Sequence, residues 1–153
     1  MNKEAGIHRT EIDAQPRLAG KDVCVGYAEQ QILHGISLSI PDSGLTAIVG
    51  PNGCGKSTLL KAMARVLPLR GGHVLLEGQA VHSMPTRDVA KVKALLPQGP
   101  VAPEGRLVRE LVAQGRFPHQ SLIRQWSRED AAAVECAMEA TDTAQFADRP
   151  VDA

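Results

Sequence analysis

The sequence predicts an α/β fold centred on a strand, a glycine-rich loop and a helix that follow one another directly. Residues 45–49 (LTAIV) form a short apolar run typical of a buried strand. Residues 50–58 (GPNGCGKST) match the phosphate-binding pattern G-x-x-x-x-G-K-[ST]. After the loop, apolar side chains recur at the spacing of one helix face: Leu59, Leu60, Met63, Val66 and Leu67. This order of elements is the context that the pattern requires.

The loop has the composition of a nucleotide site. Its glycines let successive backbone N–H groups turn toward phosphate oxygens, and the following helix adds its positive N-terminal end. Lys56 would reach the β- and γ-phosphates, and the Ser57 hydroxyl would bind Mg²⁺. We expect these residues to contact nucleotide or shape the loop around it: Gly50, Pro51, Asn52, Gly53, Cys54, Gly55, Lys56, Ser57 and Thr58.

Two β-type runs precede this centre. They cover residues 18–25 and 32–40, and the second alternates apolar and polar side chains near its end. Residues 26–31 are predicted to form the loop between them. A turn at residues 41–44, rich in Pro, Asp, Ser and Gly, leads into the run at residues 45–49.

The helix after the loop is predicted to end near Pro68, and residues 70–72 are predicted to turn the chain. Residues 73–77 then form a strand ending in a carboxylate, Glu77, before Gly78. Such a strand resembles the second motif of nucleotide-binding folds. It lies too soon after the phosphate loop, however, and a glycine turn follows at once, so a hairpin strand is the preferred interpretation.

The second half of the chain is predicted to be helical, apart from a brief apolar run at residues 94–96 and a Pro/Gly-rich loop at 99–105. Thr86 is the expected N-cap of the first helix, and Ser127 with Asp130 resembles a capping box. The predicted helical segments are residues 86–92, residues 108–114, a helix from this capping box to about Ala140, and a short turn before Arg149.

Composition excludes several classes of function. Seventeen basic and seventeen acidic residues cancel, so no nucleic-acid partner is expected. The sequence contains no run of about 18 apolar residues and no apolar signal-peptide core, and we expect a cytoplasmic protein. Cys24, Cys54 and Cys136 lack metal-ligand spacing and fit a reducing compartment.

Three features together resemble the nucleotide-binding subunit of ATP-binding-cassette (ABC) transporters. Tyr27 precedes the phosphate loop, the loop itself has the family's form, and Gln98 follows a Leu-Leu-Pro run about 40 residues beyond Lys56. The resemblance covers residues 18–153. Residues 95–119 are similar to importers of iron–siderophore complexes, with haem and cobalamin importers as relatives.

The resemblance implies a role for each matching residue. Tyr27 would stack on adenine, as aromatic side chains stack on bases elsewhere. Gln98 would contact Mg²⁺ or the attacking water and, with Lys56, belong to the catalytic residues, and ATP and Mg²⁺ are the implied cofactors. Arg109 and Arg116 would either dock on a membrane partner or form a solvated charged face, as would His119.

The resemblance also implies the architecture: a P-loop NTPase core of the ABC ATPase type with an N-terminal antiparallel β subdomain and a partial α-helical subdomain. The expected divisions are an arm at 1–17, an ATP-binding core at 18–98, and the start of the helical subdomain at 99–153. Leu107 replaces the family's usual Thr helix cap, an expected loss of about 1 kcal/mol. The sequence stops where the family's signature motif would begin, so we expect a truncated cassette.

The implied function is that of an ATP-hydrolysing subunit that powers uptake of an iron–siderophore-type chelate, although residues 1–153 alone are expected to be inactive. Its partners would be transmembrane permease subunits, a second copy of the ATPase and, indirectly, a substrate-binding protein, at the inner face of the cell membrane. A nucleotide-binding fragment without hydrolytic or transport activity is the alternative. A P-loop kinase or GTPase is a weaker hypothesis, since neither needs both Tyr27 and Gln98.

Overall fold

The computed structural model describes residues 16–28, 30–99, 104–121 and 126–152. The chain divides into two compact units, residues 1–85 and residues 86–153. Most of the predicted N-terminal arm and the centre of the predicted Pro/Gly-rich loop lie outside the described residues. Every helix within the described ranges is too short or too polar to cross a membrane.

The described residues of the first unit form four strands and one helix. These are β1 (Leu18–Tyr27), β2 (Gln30–Ile40), α1 (Lys56–Met63), β3 (Gly71–Leu76) and β4 (Gln79–Ala80). The strands form one antiparallel sheet in the order β2-β1-β3-β4. This sheet confirms the predicted antiparallel β subdomain.

The core of this unit lies between the sheet and one face of α1. Helix residues Leu59, Ala62 and Met63 are buried, at the i, i+3, i+4 spacing of one helix face. Apolar residues of the sheet and of the turn after β4 complete the core: Ala19, Val23, Val25, Leu33, Val74, Leu76 and Val81. The burial of this apolar surface fixes α1, and therefore the start of α1, against the sheet.

Two predicted turns are replaced by strand. The loop expected at residues 26–31 is a tight hairpin, since Tyr27 pairs with Gln30. The turn expected at residues 70–72 is wrong because Gly71 and Gly72 belong to β3. Gly72 has a φ of 76° and lies against the backbone of β1, a combination that an L-residue with a Cβ does not tolerate.

Helix α1 ends earlier than predicted, at Met63 rather than near Pro68. Arg65 has a left-handed φ of 61°, which interrupts the helix before the proline. The hairpin interpretation of residues 73–77 is confirmed: Glu77 and Gly78, with φ of 50° and 80°, form the turn between β3 and β4.

The apolar run at residues 45–49 does not form the predicted buried strand. Leu45 and Val49 are 97% and 90% exposed. A strand requires a neighbour for its backbone N–H and C=O groups, and the sheet formed by the described residues consists of β1 to β4, without residues 45–49. The apolar pattern indicates that the run is suited to burial, but pairing depends on a neighbouring strand.

The second unit is helical, as predicted. Its elements are α2 (Thr86–Val92), α3 (Val108–Ala113), a 3₁₀ helix (Gln114–His119), α4 (Arg128–Ala140) and a 3₁₀ turn (Ala144–Phe146). The capping box is confirmed, because the Ser127 hydroxyl accepts from the Asp130 N–H and the Asp130 carboxylate accepts from the Ser127 N–H. The 3₁₀ helix directly after α3 was not predicted.

The start of α3 compensates for the missing cap at Leu107. The Glu110 carboxylate accepts from the Leu107 N–H at 3.1 Å. The Val108 N–H donates to the Arg149 carbonyl at 3.0 Å, and the Arg109 N–H donates to the Ala147 carbonyl at 3.1 Å. Backbone carbonyls from a distant segment thus occupy the place of a capping side chain. The expected loss of about 1 kcal/mol is therefore offset.

Among the described residues of this unit, Asp130 is charged and buried. Its carboxylate accepts a 2.8 Å hydrogen bond from Arg116 Nε and further hydrogen bonds from Ser127. The bond from Arg116, followed by those from Ser127, lowers the pKa of the Asp130 carboxyl against the opposing effect of burial. Arg109 likewise pairs with Asp148. Both arginines suggested for docking or a solvated face therefore form ion pairs within the unit.

This ion pair predicts a pH dependence of stability. Because the folded-state pKa of Asp130 lies below the reference value of 3.8, its contribution is fully present above that value and is lost as pH falls through the lower folded-state pKa. Asp130→Asn should lower the melting temperature at about pH 7, and the deficit should shrink below about pH 4. Asp142→Asn, at an exposed position, is the matched control. A deficit that is constant at every pH would contradict the assignment.

Candidate nucleotide-binding site

The phosphate loop ends in a helix start suited to anions. Gly55 is the N-cap of α1, with a left-handed φ of 96°. The first helical hydrogen bond runs from the Leu59 N–H to the Gly55 carbonyl at 2.8 Å. The backbone N–H groups of Lys56, Ser57 and Thr58 therefore precede the helical ladder and carry the positive end of the helix dipole. Such a group of donors binds phosphate oxygens.

Backbone geometry explains the glycines of the loop. Gly53 and Gly55 have φ of 81° and 96°, in the left-handed region that favours glycine. A Cβ at Gly50 would lie 3.1 Å from the Cys54 sulfur, because the beginning and end of the loop approach each other. The pattern recognised in the sequence therefore corresponds to a loop that curves back on itself.

The Lys56 ammonium closes this loop. Its Nζ donates to the carbonyls of Gly50 and Pro51 at 2.8 Å and 2.7 Å and lies 3.9 Å from the Cys54 sulfur. The side chain is thus held back over the loop that precedes it in sequence. The ammonium is therefore placed at the loop that leads into α1, an arrangement that favours a polyanionic ligand.

The hairpin of β1 and β2 packs against the phosphate loop. Leu33 and Ile32 come within 2.9 Å and 3.4 Å of the point where a Cβ on Gly55 would lie. Leu33 in turn pairs with Val25 on β1, two residues before Tyr27. Gly55 is therefore required both for its φ and for this close packing, which connects the hairpin that carries Tyr27 to the phosphate site.

Tyr27 is the last residue of β1 rather than a loop residue. Its side chain is 47% exposed, which leaves ring surface free to stack. A strand end held by hairpin pairing is a more rigid support than the predicted loop would be. Tyr27 and the phosphate loop thus both belong to the first unit, whereas Gln98 is an exposed residue of the second unit.

The described acids of the first unit do not serve the phosphate loop. Asp22 accepts from the Ser37 hydroxyl at 3.2 Å. Asp42 and Glu77 both pair with Arg17, at 3.2 Å and 3.5 Å. Within the described ranges, no group of three or more His, Cys, Asp or Glu residues is arranged to hold a metal ion.

Sequence reasoning missed one residue of this region, Arg70. Its guanidinium donates a hydrogen bond to the carbonyl of Ala28, in the turn directly after Tyr27. The two residues are 42 positions apart and no motif includes Arg70, so no pattern in the sequence predicts this contact.

The comparison with known proteins agrees with this geometry. Residues 33–153 match the model of the ABC transporter family. A probable siderophore transport system ATP-binding protein of Bacillus subtilis, YusV, is 50% identical over 135 residues, which is 88% of this chain and 49% of that protein. The iron(3+)-hydroxamate import ATP-binding protein FhuC of the same organism is 45% identical over 89% of this chain and 51% of its own length. The chain thus spans about half the length of these curated relatives.

Solved structures show the same fold. A bacterial Atm1-family ABC exporter with ATP bound superposes with a TM-score of 0.70 and 26% identity, over 92% of this chain and 24% of the exporter chain. The ATP-binding subunit of an ABC transporter gives a TM-score of 0.69 at 20% identity, over 86% of this chain and 52% of that one. With the loop geometry and the family match over most of its length, this chain belongs to the ABC transporter family.

Proposed function

We propose that this chain provides the ATP-binding part of an ABC-type ATPase that powers import of an iron–siderophore-type chelate. The observation that carries the proposal is the phosphate loop, where Lys56 and the left-handed glycines border the free N–H groups at the start of α1. The names of the relatives, siderophore transport and iron(3+)-hydroxamate import, support the substrate class.

The proposed ligand is MgATP, bound by residues 50–58 and by the ring of Tyr27. Ser57 and Gln98 would hold Mg²⁺. This donor set of a hydroxyl and an amide oxygen fits the ion, which uses few protein ligands beside water and phosphate. When bound, the ion neutralises charge on the β- and γ-phosphates. Lys56 and Gln98 would act on the terminal phosphate, with residues 18–98 as the core and 99–153 as the start of a helical subdomain.

The proposed partners follow from the import function. Transmembrane permease subunits would receive the motion that ATP binding drives, and a second ATPase copy would complete each nucleotide site. A substrate-binding protein would act indirectly, through the permease. The working location is the inner face of the cell membrane. The alternative, in which the 153-residue chain binds nucleotide without hydrolysing it, is supported by the lack of a free carboxylate among the described acids of the first unit.

The adenine contact provides the test of this proposal. Tyr27→Ala should weaken ATP binding about five- to hundredfold, since stacking on a base contributes about 1–3 kcal/mol. Binding of inorganic tripolyphosphate should be unchanged, because that ligand has no base. Tyr27→Phe retains the ring and should bind ATP like the unmodified chain.

Titration of a fluorescent ATP analogue, with ATP, GTP and tripolyphosphate as competitors, measures the affinities of the unmodified chain and of both Tyr27 variants at low protein concentration. Equal ATP affinity of Tyr27→Ala and the unmodified chain would overturn the adenine assignment. A strong preference for GTP over ATP would favour the GTPase hypothesis instead.

A further inference from the structure

We infer that Arg70 is a positioning residue that holds the turn carrying Tyr27 and so sets the affinity for the adenine base. This inference rests on the proposed function, because it assigns a role through Tyr27. Arg70 directly precedes β3, and its backbone N–H donates to the Cys24 carbonyl of β1 at 2.8 Å. The backbone of Arg70 is therefore fixed to the strand that ends in Tyr27.

The Arg70 side chain crosses the hairpin and reaches its turn. The guanidinium donates to the carbonyl of Ala28. On its way it covers Gly26, where a Cβ would lie 2.9 Å from the guanidinium carbon. The absence of a Cβ at Gly26 therefore leaves space for the Arg70 side chain. The side chain contacts residues on either side of Tyr27 in sequence.

The turn needs such support because its backbone is unfavourable. Ala28 has a left-handed φ of 46°, a conformation that costs about 1 kcal/mol or more for an alanine. Strained residues of this kind persist only where surrounding contacts determine them. A hydrogen bond from a cation to the Ala28 carbonyl stabilises this conformation directly.

The position of Arg70 leaves the Tyr27 ring free to stack on a base. Successive side chains of a strand point to opposite faces, so the Tyr27 ring points away from the face of Gly26 that Arg70 covers. Arg70 therefore supports the turn from behind, and the ring remains 47% exposed. Without this support, the turn can change conformation, and the ring spends less time in the orientation that stacks on adenine.

Arg70→Ala should therefore weaken ATP binding about three- to tenfold, less than the tenfold or more of a whole hydrogen bond from a charged group, because Arg70 acts on the base only through the turn. Tripolyphosphate binding should not change, since the phosphate loop is unaltered. Arg70→Lys retains a cationic donor and should bind ATP more tightly than Arg70→Ala does. In a Tyr27→Ala background, Arg70→Ala should cause no additional loss, because its effect passes through the ring.

Arg65→Ala is the matched control, since Arg65 also donates from its guanidinium to a backbone carbonyl, that of Met84 at 2.9 Å, away from the hairpin. It should leave ATP binding unchanged. The experiment measures how strongly ATP and tripolyphosphate displace a fluorescent ATP analogue from the 153-residue chain and from each variant. Circular dichroism verifies that each variant is folded.

The outcomes separate this inference from the proposed function. If Tyr27→Ala weakens ATP binding and Arg70→Ala does not, the inference fails and the adenine site remains. If Tyr27→Ala itself has no effect, the adenine site fails and the inference with it. An equal loss for ATP and tripolyphosphate in Arg70→Ala, or an additional loss in the double variant, would show that Arg70 acts on the fold generally and would also overturn the inference.

Discussion

The 153-residue chain is expected to bind ATP and leave it intact. Hydrolysis in this family requires an in-line water, a carboxylate that orients or deprotonates it, and positive charge at the γ-phosphate. Under the proposed function, Lys56 would supply the charge, Ser57 would hold Mg²⁺, and Gln98 would take part. The described acids of the first unit are engaged elsewhere: Asp22 by a serine, and Asp42 and Glu77 by one arginine.

In the second unit, two acidic side chains also bind other groups of the protein. Glu110 caps α3, and Asp130 is held by Arg116. The family's signature motif, Leu-Ser-Gly-Gly-Gln, does not occur in residues 1–153. The loss of one positioned catalytic group typically reduces the rate about 10²-fold or more.

The measurement that tests this prediction is phosphate release over several hours, from protein free of contaminating ATPase. We expect release no faster than from the Lys56→Ala variant. A steady release that disappears in Lys56→Ala would prove the prediction wrong and would assign catalysis to a carboxylate not identified above.

Lys56→Ala should weaken MgATP binding about ten- to hundredfold. Charge-assisted hydrogen bonds contribute about 1.5–3 kcal/mol, and each 1.4 kcal/mol corresponds to a factor of ten in affinity. The ammonium already lies at the loop, held by the carbonyls of Gly50 and Pro51, so little movement is needed to reach a bound phosphate. Tripolyphosphate binding should fall by a similar factor, in contrast to the variants of Tyr27 and Arg70.

Lys61→Ala is the matched control, because Lys61 is an exposed lysine on the same helix. It should retain the affinity of the unmodified chain. Calorimetric or fluorescence titration measures both variants, with a melting curve to verify folding. Unchanged MgATP affinity in folded Lys56→Ala would rule out the assignment of residues 50–58 as the phosphate site.

The sequence by itself determined the phosphate loop and most of the helices. A glycine pattern with a lysine at a fixed position is a local signal, and the backbone angles at Gly53 and Gly55 are local as well. The same holds for the capping box of Ser127 and Asp130 and for the turn at Gly78, each of which depends on residues within one turn of chain. Local chemistry of this kind can be predicted without knowledge of the fold.

Only the tertiary structure decided the contacts between distant residues. The apolar run at residues 45–49 predicted a buried strand, but a strand forms only where another strand supplies its hydrogen bonds. Leu107 predicted a lost cap, yet carbonyls about 40 residues away bond to the start of α3. Arg70 reaches Ala28 across 42 residues, and no pattern in either segment indicates the contact. Such contacts depend on which elements the core brings together, and a local sequence pattern does not contain that information.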